Sequence, residues 1–346
     1  MINKKVLVVV CAYNEQNSIF NCLDSLRKSI ENNCLLSNYS VVCVDNFSTD
    51  KTGEIASNFA RNNKGFNYVK IEHCNLCVSR NIYKNFNGFD FVAYIDGDGY
   101  VSESWAKNLN KIIECNPGVN IISGPVLDLE SKSENLIWDM YFDSSLYSGA
   151  NYLIGANMIF SIDILNRVDG FPCFFPVRGD ESSLLLRINN VEKNINHIFD
   201  NSLVAYNYFP SDLKTFIKTQ YYDGQRSHDI SQLSGNYLKT KTNGIVKILS
   251  ISLLMSTPVF VTVEPILGFI SFSISIGPFA FRHRKYIKSV ISKIKSSKQL
   301  RYATAIIMSR YLFDAGFISR FFDKKKVKKE MLNITKNPIV LEKVNG

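Results

Sequence analysis

The chain has 346 residues, is 46% hydrophobic and 21% charged, and carries a net charge of +9. That is an ordinary globular composition, long enough for one large domain or a domain with an appendage. The charge is unevenly placed: residues 231–346 hold 20 Lys and Arg against 5 Asp and Glu, and residues 1–230 hold 20 against 26. A basic C-terminal third points to nucleic acid or to an anionic membrane surface. Its cations are separated by aliphatic rather than stacking aromatic residues, which argues against nucleic acid.

VLVVVCAY (6–13) is a continuous, largely β-branched run, the pattern of a strand covered on both faces. Asn14-Glu15 end it where a leader's cleavage site would need small residues, so it is not read as a signal peptide. Residues 17–30 place Ile19, Cys22, Leu23, Leu26 and Ile30 on one helical stripe. SVVCVD (40–45) is the next strand, and Ser48 or Asp50 caps a helix over 51–62. NYVKIE (67–72) and FVAYID (91–96) are two more strands. This alternation predicts an α/β fold with a mostly parallel sheet flanked by helices. Its ligand site lies beyond the carboxyl ends of the strands, at Tyr13-Asn14-Glu15, Asp45-Asn46 and Asp96-Gly97-Asp98.

The eight cysteines are scattered, mostly in apolar runs, and read as the reduced, buried thiols of a cytosolic protein. His73-Cys74-Asn75-Leu76-Cys77 has zinc-like spacing but no second ligand pair, so no zinc site is expected. Residues 248–281 are 34 residues with one charge, Glu264. The run is too long for one span of about 20 residues, and Pro258, Pro265 and Pro278 are expected to interrupt it. Split at Glu264-Pro265, it reads as a hairpin that re-enters or barely spans a membrane, or else as a buried helix pair. Cations on both flanks put both ends on the cytosolic side. Residues 286–322 mix apolar and basic positions at helical spacing and run into Lys324–Lys329, the pattern of an interfacial helix on anionic lipid. The expected division is 1–235 and 236–346.

Asp96 and Asp98 stand two apart at a strand end, so both side chains face one side. Two hard oxygen ligands this close suit Mg²⁺ or Mn²⁺, with a diphosphate completing the shell. Gly97 and Gly99 let the backbone turn there. A hydrophobic run ending in Asp-x-Asp-Gly is also similar to the first motif of haloacid-dehalogenase-type phosphatases, with Asp96 as nucleophile. Three strands before the motif, and Leu184 where a later acid is needed, argue against that reading. A dehydrogenase is disfavoured because no Gly-x-Gly-x-x-Gly follows the first strand.

From residue 6 to about 228 the sequence resembles family 2 glycosyltransferases of the GT-A fold, in six segments in the family's order. These are VVVCAYNEQNSIFNCLDSL, VVCVDNFSTDKT, Cys77–Asn81, YIDGDG, GANMIFSIDILNRVDGFP and GDESSLLLR. The resemblance implies a nucleotide-sugar donor, a UDP-sugar being expected, with Ala12, Tyr13, Glu15, Asp45 and Gly97 in its binding set. It implies Arg80 on the diphosphate, Asp98 on Mn²⁺ or Mg²⁺, and Asp96 on the ribose or a metal-bound water. The family's base position falls on Glu181, with Asp180 as the alternative because the usual Glu-Asp order is reversed here. Both acids could also simply favour a helix N-terminus over 181–190. Inverting transfer to a lipid-linked or nascent surface-glycan acceptor is implied. LKTFIKTQYYDGQRSHD (213–229) is similar to the acceptor-side helix of non-processive members, since Gln220 lacks the Arg-Trp of processive synthases; His228 there reads as an additional ligand or, more commonly for such a histidine, as solvated or capping. A peripheral or hairpin-anchored enzyme on the cytoplasmic face of the cell membrane is expected; a non-catalytic membrane adaptor is the remaining alternative.

Overall fold

The computed structural model describes residues 4–72, 75–129, 135–142, 153–172, 179–233, 242, 244–252, 262, 265–322 and 342–343. The chain packs as two compact units. One comprises residues 1–133, 147–209 and 333–346, the other 134–146 and 210–332. The division thus falls at 210 rather than at 236, and the helix over 213–233 belongs with the C-terminal helices.

The first unit is built on the expected strands. β1 (Val6–Ala12) is buried along its whole length, as a β-branched run between two helical layers must be. β2 (Tyr39–Asp45), β3 (Phe66–Lys70) and β4 (Phe91–Asp96) run parallel to it. α1 (Ile19–Glu31) follows β1 and buries the predicted stripe of Ile19, Cys22, Leu23, Leu26 and Ile30. α2 (Thr52–Asn62) follows β2, and the short α3 (Leu76–Arg80) follows β3. The Asn75 side chain accepts from the N–H groups of Cys77 and Val78 and so caps α3. β5 (Tyr100–Val101), α4 (Trp105–Cys115), β6 (Ile121–Ser123) and β7 (Val126–Asp128) come next. β8 (Met158–Ser161), α5 (Ile162–Arg167), α6 (Asp180–Val191), β9 (His197–Phe199) and β10 (Ala205–Asn207) complete the unit, apart from a terminal strand. With that strand, β11 (Glu342–Lys343), the described sheet has eight strands in the order β11-β3-β2-β1-β4-β8-β6-β9; β5-β10-β7 form a small second sheet. β8 is antiparallel to both β4 and β6, so the sheet is mixed on that side. A large apolar cluster in this unit includes Val8, Val10, Leu23, Leu26, Trp105, Leu109 and Ile122.

The second unit is helical. α7 (Leu213–Leu233), α8 (244–252), α9 (Pro265–Ser292) and α10 (Ser297–Phe322) make it up. A cluster of Ile137, Met140, Phe216, Val290, Ala303 and Ile306 fills its interior. Three sequence expectations are corrected here. Pro278 does not break the helix but lies inside α9. Phe279 stacks on Tyr311 at 3.8 Å, and Arg282 and His283, one turn further, both reach Asp314; these contacts offset the lost backbone bond. The amphipathic run over 286–322 is two helices, with α10 beginning at Ser297 and packed along α7. His228 is neither solvated nor capping: it is buried, faces Phe317 and bonds to Asp229. Among the described residues no helix is long and apolar enough to cross a membrane. The hairpin tip (253–261) and the Lys324–Lys329 run lie outside the described residues.

α7 and α10 touch backbone to backbone. A Cβ on Gly224 would strike the Phe313 carbonyl, and one on Gly316 would strike that of Tyr221. Buried polar pairs line the crossing: Gln220 donates to the Tyr141 hydroxyl and accepts from Arg310, and Arg320 pairs with Asp229. Gly316→Val forces these helices apart and is expected to destabilise the protein by on the order of 3 kcal/mol, read as a lower urea midpoint. An unchanged midpoint would contradict this packing.

Candidate active site

β1 lies between β2 and β4, and the strand order reverses beside it. In-register pairing sets Ala12 opposite Asp45 on one side and Cys11 opposite Asp96 on the other. The crevice beyond such a switch point is where open α/β sheets bind ligands.

The loops around the crevice are stapled together. The N–H groups of Asn14, Glu15 and Gln16 donate to Ser48 Oγ (3.0 Å), Thr52 Oγ1 (2.6 Å) and Asp50 Oδ2 (3.2 Å). The Thr49 N–H donates back to Asn14 Oδ1 at 2.8 Å. Neither predicted residue is the N-cap of α2, which is Lys51: Asp50 accepts from the N–H of Thr52, the first residue of α2, and Ser48 serves the neighbouring loop. The Ser-Thr-Asp-x-Thr turn therefore holds residues 14–16 in place. Tyr13, at the end of β1, is 47% exposed.

Asp45 is buried, and both its oxygens are engaged: Oδ1 accepts from the Ser48 N–H and Oδ2 from the Tyr68 hydroxyl, each at 2.9 Å. A Cβ on Gly53 would come within 2.6 Å of both Asp45 and Tyr68, so this pairing requires glycine at 53. A cavity of about 440 Å³ opens beside it, lined by Asp45, Ser48, Gly53, Tyr68, Arg61 and Lys70 among others.

At the end of β4 the chain turns against the end of β1. The Gly97 N–H donates to the Cys11 carbonyl at 2.9 Å, and a Cβ there would lie 2.9 Å from Ala12 Cβ. The turn brings Asp96, Asp98 and Glu15 into one electrostatic group. Burial, then the charges of Asp96 and Glu15, push the Asp98 carboxyl up to about 7, against a hydrogen bond from Asn207. Burial, then Asp96 and Asp50, raise Glu15 above the usual carboxylate range, although the Ser18 hydroxyl donates to it at 2.9 Å. Burial pushes the Cys11 thiol up to about 12, which keeps it protonated and unreactive.

Arg80 joins this group to the start of α6. It is 2% exposed, ion-paired to Asp180 through Nη1 and to Asp96 through Nη2 at 3.4 Å. Burial opposes its charge, but Asp96 and then Glu181 help hold its pKa above the ordinary arginine value. The guanidinium lies 5.5 Å from the Phe171 ring, and a Cβ on Gly155 would come within 2.6 Å of Nη2. Gly179, left-handed at φ 84°, starts α6 and is followed by Asp180, which is 1% exposed, and by the half-buried Glu181. Thus Arg80, read from sequence as a diphosphate contact, is a buried strut between two acids. Of the two base candidates, Asp180 is taken up by that strut and Glu181 is not.

Sequence reasoning missed several supporting residues. Asn81 clamps Phe171, accepting from its N–H and donating to its carbonyl, both at 2.8 Å. Asn157 accepts from the Trp105 indole at 3.0 Å and donates to the Leu203 carbonyl at 2.7 Å. Both asparagines sit inside segments that carried the family resemblance, and that was their only signal. Tyr68 and Gly53 carried none.

The acids fit a divalent cation. Asp98 sits among like charges that burial makes costly, which a cation would relieve. Among the described residues no three His, Cys, Asp or Glu side chains converge on one point. The protein thus offers one or two carboxylates, the number with which Mg²⁺ is ordinarily held together with substrate phosphates.

The structure aligns with the mannosyltransferase PcManGT of Pyrobaculum calidifontis, solved with GDP-Man and Mn²⁺, at a TM-score of 0.57 and 16% identity. The alignment covers 92% of this chain and 88% of that one, and it establishes the GT-A fold. The glycosyl transferase family 2 model matches residues 7–168, from β1 through α5. Glycosyltransferase GlyA of Streptococcus pneumoniae serotype 4 is 29% identical over 115 residues, which are 33% of this chain and 16% of GlyA. The uncharacterized glycosyltransferase EpsJ of Bacillus subtilis is 27% identical over 111 residues, 32% of this chain and 31% of EpsJ. The chain thus spans less than a third of the length of either curated relative. The family-model match favours glycosyl transfer over the phosphatase reading of Asp96.

Proposed function

We propose that the protein transfers a sugar from a nucleotide-sugar donor to an acceptor hydroxyl, with inversion at the anomeric carbon. The observation that carries this is the acid group at the β1/β4 switch point, linked through Arg80 to the start of α6. The crevice at Ala12, Tyr13, Glu15 and Asp45 takes the nucleoside, and the turn at Gly97 lets the diphosphate approach the backbone. Asp98, with Asp96, holds Mn²⁺ or Mg²⁺, which supplies charge compensation for the leaving diphosphate. PcManGT, which shares the fold, is described with both a nucleotide sugar and Mn²⁺.

Glu181 takes the proton from the acceptor hydroxyl as that oxygen bonds to the anomeric carbon and the bond to the diphosphate oxygen breaks. Asp180 positions the helix end through Arg80. The acceptor is a lipid-linked or nascent surface glycan, extended by one sugar or a few.

The test is nucleotide release by the full chain from UDP-, GDP-, CMP- and dTDP-sugars, with Mn²⁺ or with EDTA. One donor, a UDP-sugar by expectation, is hydrolysed slowly and only with metal. With an acceptor present, Glu181→Gln lowers transfer on the order of 10²–10⁴-fold and leaves donor affinity unchanged. Absence of both turnover and metal-dependent nucleotide binding favours the non-catalytic adaptor instead.

A further inference from the structure

We propose that the helical unit docks on an anionic lipid surface through one exposed stripe of α9, without spanning the membrane. Four observations carry this, and none depends on the donor or the reaction.

The unit buries charged pairs beside its apolar cluster and exposes large apolar side chains on α9. Asp314 is fully buried with Lys247, Arg282 and His283 around it, and Asp229 is buried with Arg226 and Arg320. Meanwhile Phe281 is 69% exposed, Ile274 53% and Ile291 52%. Helices facing only water show the reverse arrangement.

The exposed residues of α9 line up. Ile274, Gly277, Pro278, Phe281, Arg284, Lys285, Lys288 and Ile291 recur at three- and four-residue steps, with Ser275, Phe279, His283 and Val290 buried on the other side. The stripe is apolar through Phe281 and then cationic. That division suits a helix lying in the headgroup boundary, with its apolar part lower and its cations at the phosphates. The Arg284 guanidinium stacks 4.3 Å from the Phe281 ring, so the cation and the apolar anchor form one unit.

The charge is one-sided. Residues 265–313 hold nine Lys and Arg and no Asp or Glu. An occupant of opposite charge is called for, and an anionic bilayer offers both that charge and apolar depth. The turn between α9 and α10 adds the exposed Lys295, and the start of α10 adds Lys298 near the exposed Leu300. Finally, no described helix is long and apolar enough to cross a bilayer.

The experiment is flotation of the full chain with phosphatidylcholine vesicles, with or without phosphatidylglycerol. Binding is expected only with the anionic lipid. Arg284→Gln, Lys285→Gln and Lys288→Gln together should lower partitioning on the order of a hundredfold, from roughly 1 kcal/mol per cation near the surface. A Phe281→Trp variant reports depth: Trp105 and Trp138 are buried, so a blue shift and quenching by brominated lipid come from position 281. All substitutions lie on the exposed stripe, and an unchanged urea midpoint confirms that the fold is kept. Equal binding to neutral vesicles, or indifference to the triple substitution, overturns the proposal. So does a dimer that Phe281→Ser dissolves while the wild type stays unbound by vesicles, since a second copy would then be the occupant.

Discussion

Asp98→Asn is expected to abolish metal-stimulated donor turnover, by on the order of a thousandfold, because the charge stabilisation a bound ion supplies is worth several kcal/mol. The substitution keeps the side chain's shape and removes only its charge. The same change should act oppositely on the stability of the metal-free protein. The Asp98 carboxyl is pushed up to about 7 in the folded protein by burial, Asp96 and Glu15, whereas an unfolded Asp titrates near about 4. Between those values the folded state holds the proton more tightly. Stability contributed at this position therefore falls as pH rises from about 4 to about 7 and is flat above. At about pH 8 without metal, Asp98→Asn should have the higher urea midpoint, and at about pH 3, below both values, the two proteins should coincide. Metal affinity of the wild type should rise with pH through about 7, since the ligand must be deprotonated. Metal stimulation that survives in Asp98→Asn would remove Asp98 from the ion's shell.

The parts of this fold that the sequence shows are those set by local chemistry. β1, β2 and β4 are largely apolar runs, and each ends where its carboxylates begin; α1 carries its buried stripe at helical spacing. Asp96 and Asp98 can be read because two acids at a strand end have few structural reasons to be there. What could not be read depends on long-range packing. Arg80 and Asp180 are 100 positions apart, and nothing local says that a buried guanidinium joins them. Asn81 looks like one of many polar residues until Phe171, 90 positions away, is clamped by it. Pro278 reads as a helix breaker because the stacked rings and ion pairs that keep α9 continuous come from α10. The same packing places Asp314 in the interior of the helical unit and Phe281 outside, which the alternation of apolar and basic residues could not assign to a face.

Arg80→Met is expected to cost about 3–5 kcal/mol, because it leaves Asp180 buried and uncompensated, and to abolish transfer. Stability alone would not separate a strut from a functional group, but a second substitution does. Replacing a buried ion pair with apolar side chains of similar volume is often neutral for stability. Arg80→Met with Asp180→Leu should therefore recover most of the urea midpoint that Arg80→Met loses. It should not recover transfer. Asp96 would still lack the guanidinium that holds it 3.4 Å away, and the start of α6, where Glu181 sits, would lose its tie to the metal loop. Arg80→Lys gives the complementary reading. A lysine keeps the charge but offers one ammonium where the two Nη atoms of arginine reach two acids at once. It should retain more stability than Arg80→Met and show a fall in kcat with little change in donor affinity, the signature of misplaced groups rather than of a lost binding contact. A donor affinity that falls as far as kcat in Arg80→Lys would instead return Arg80 to the role of a direct diphosphate contact.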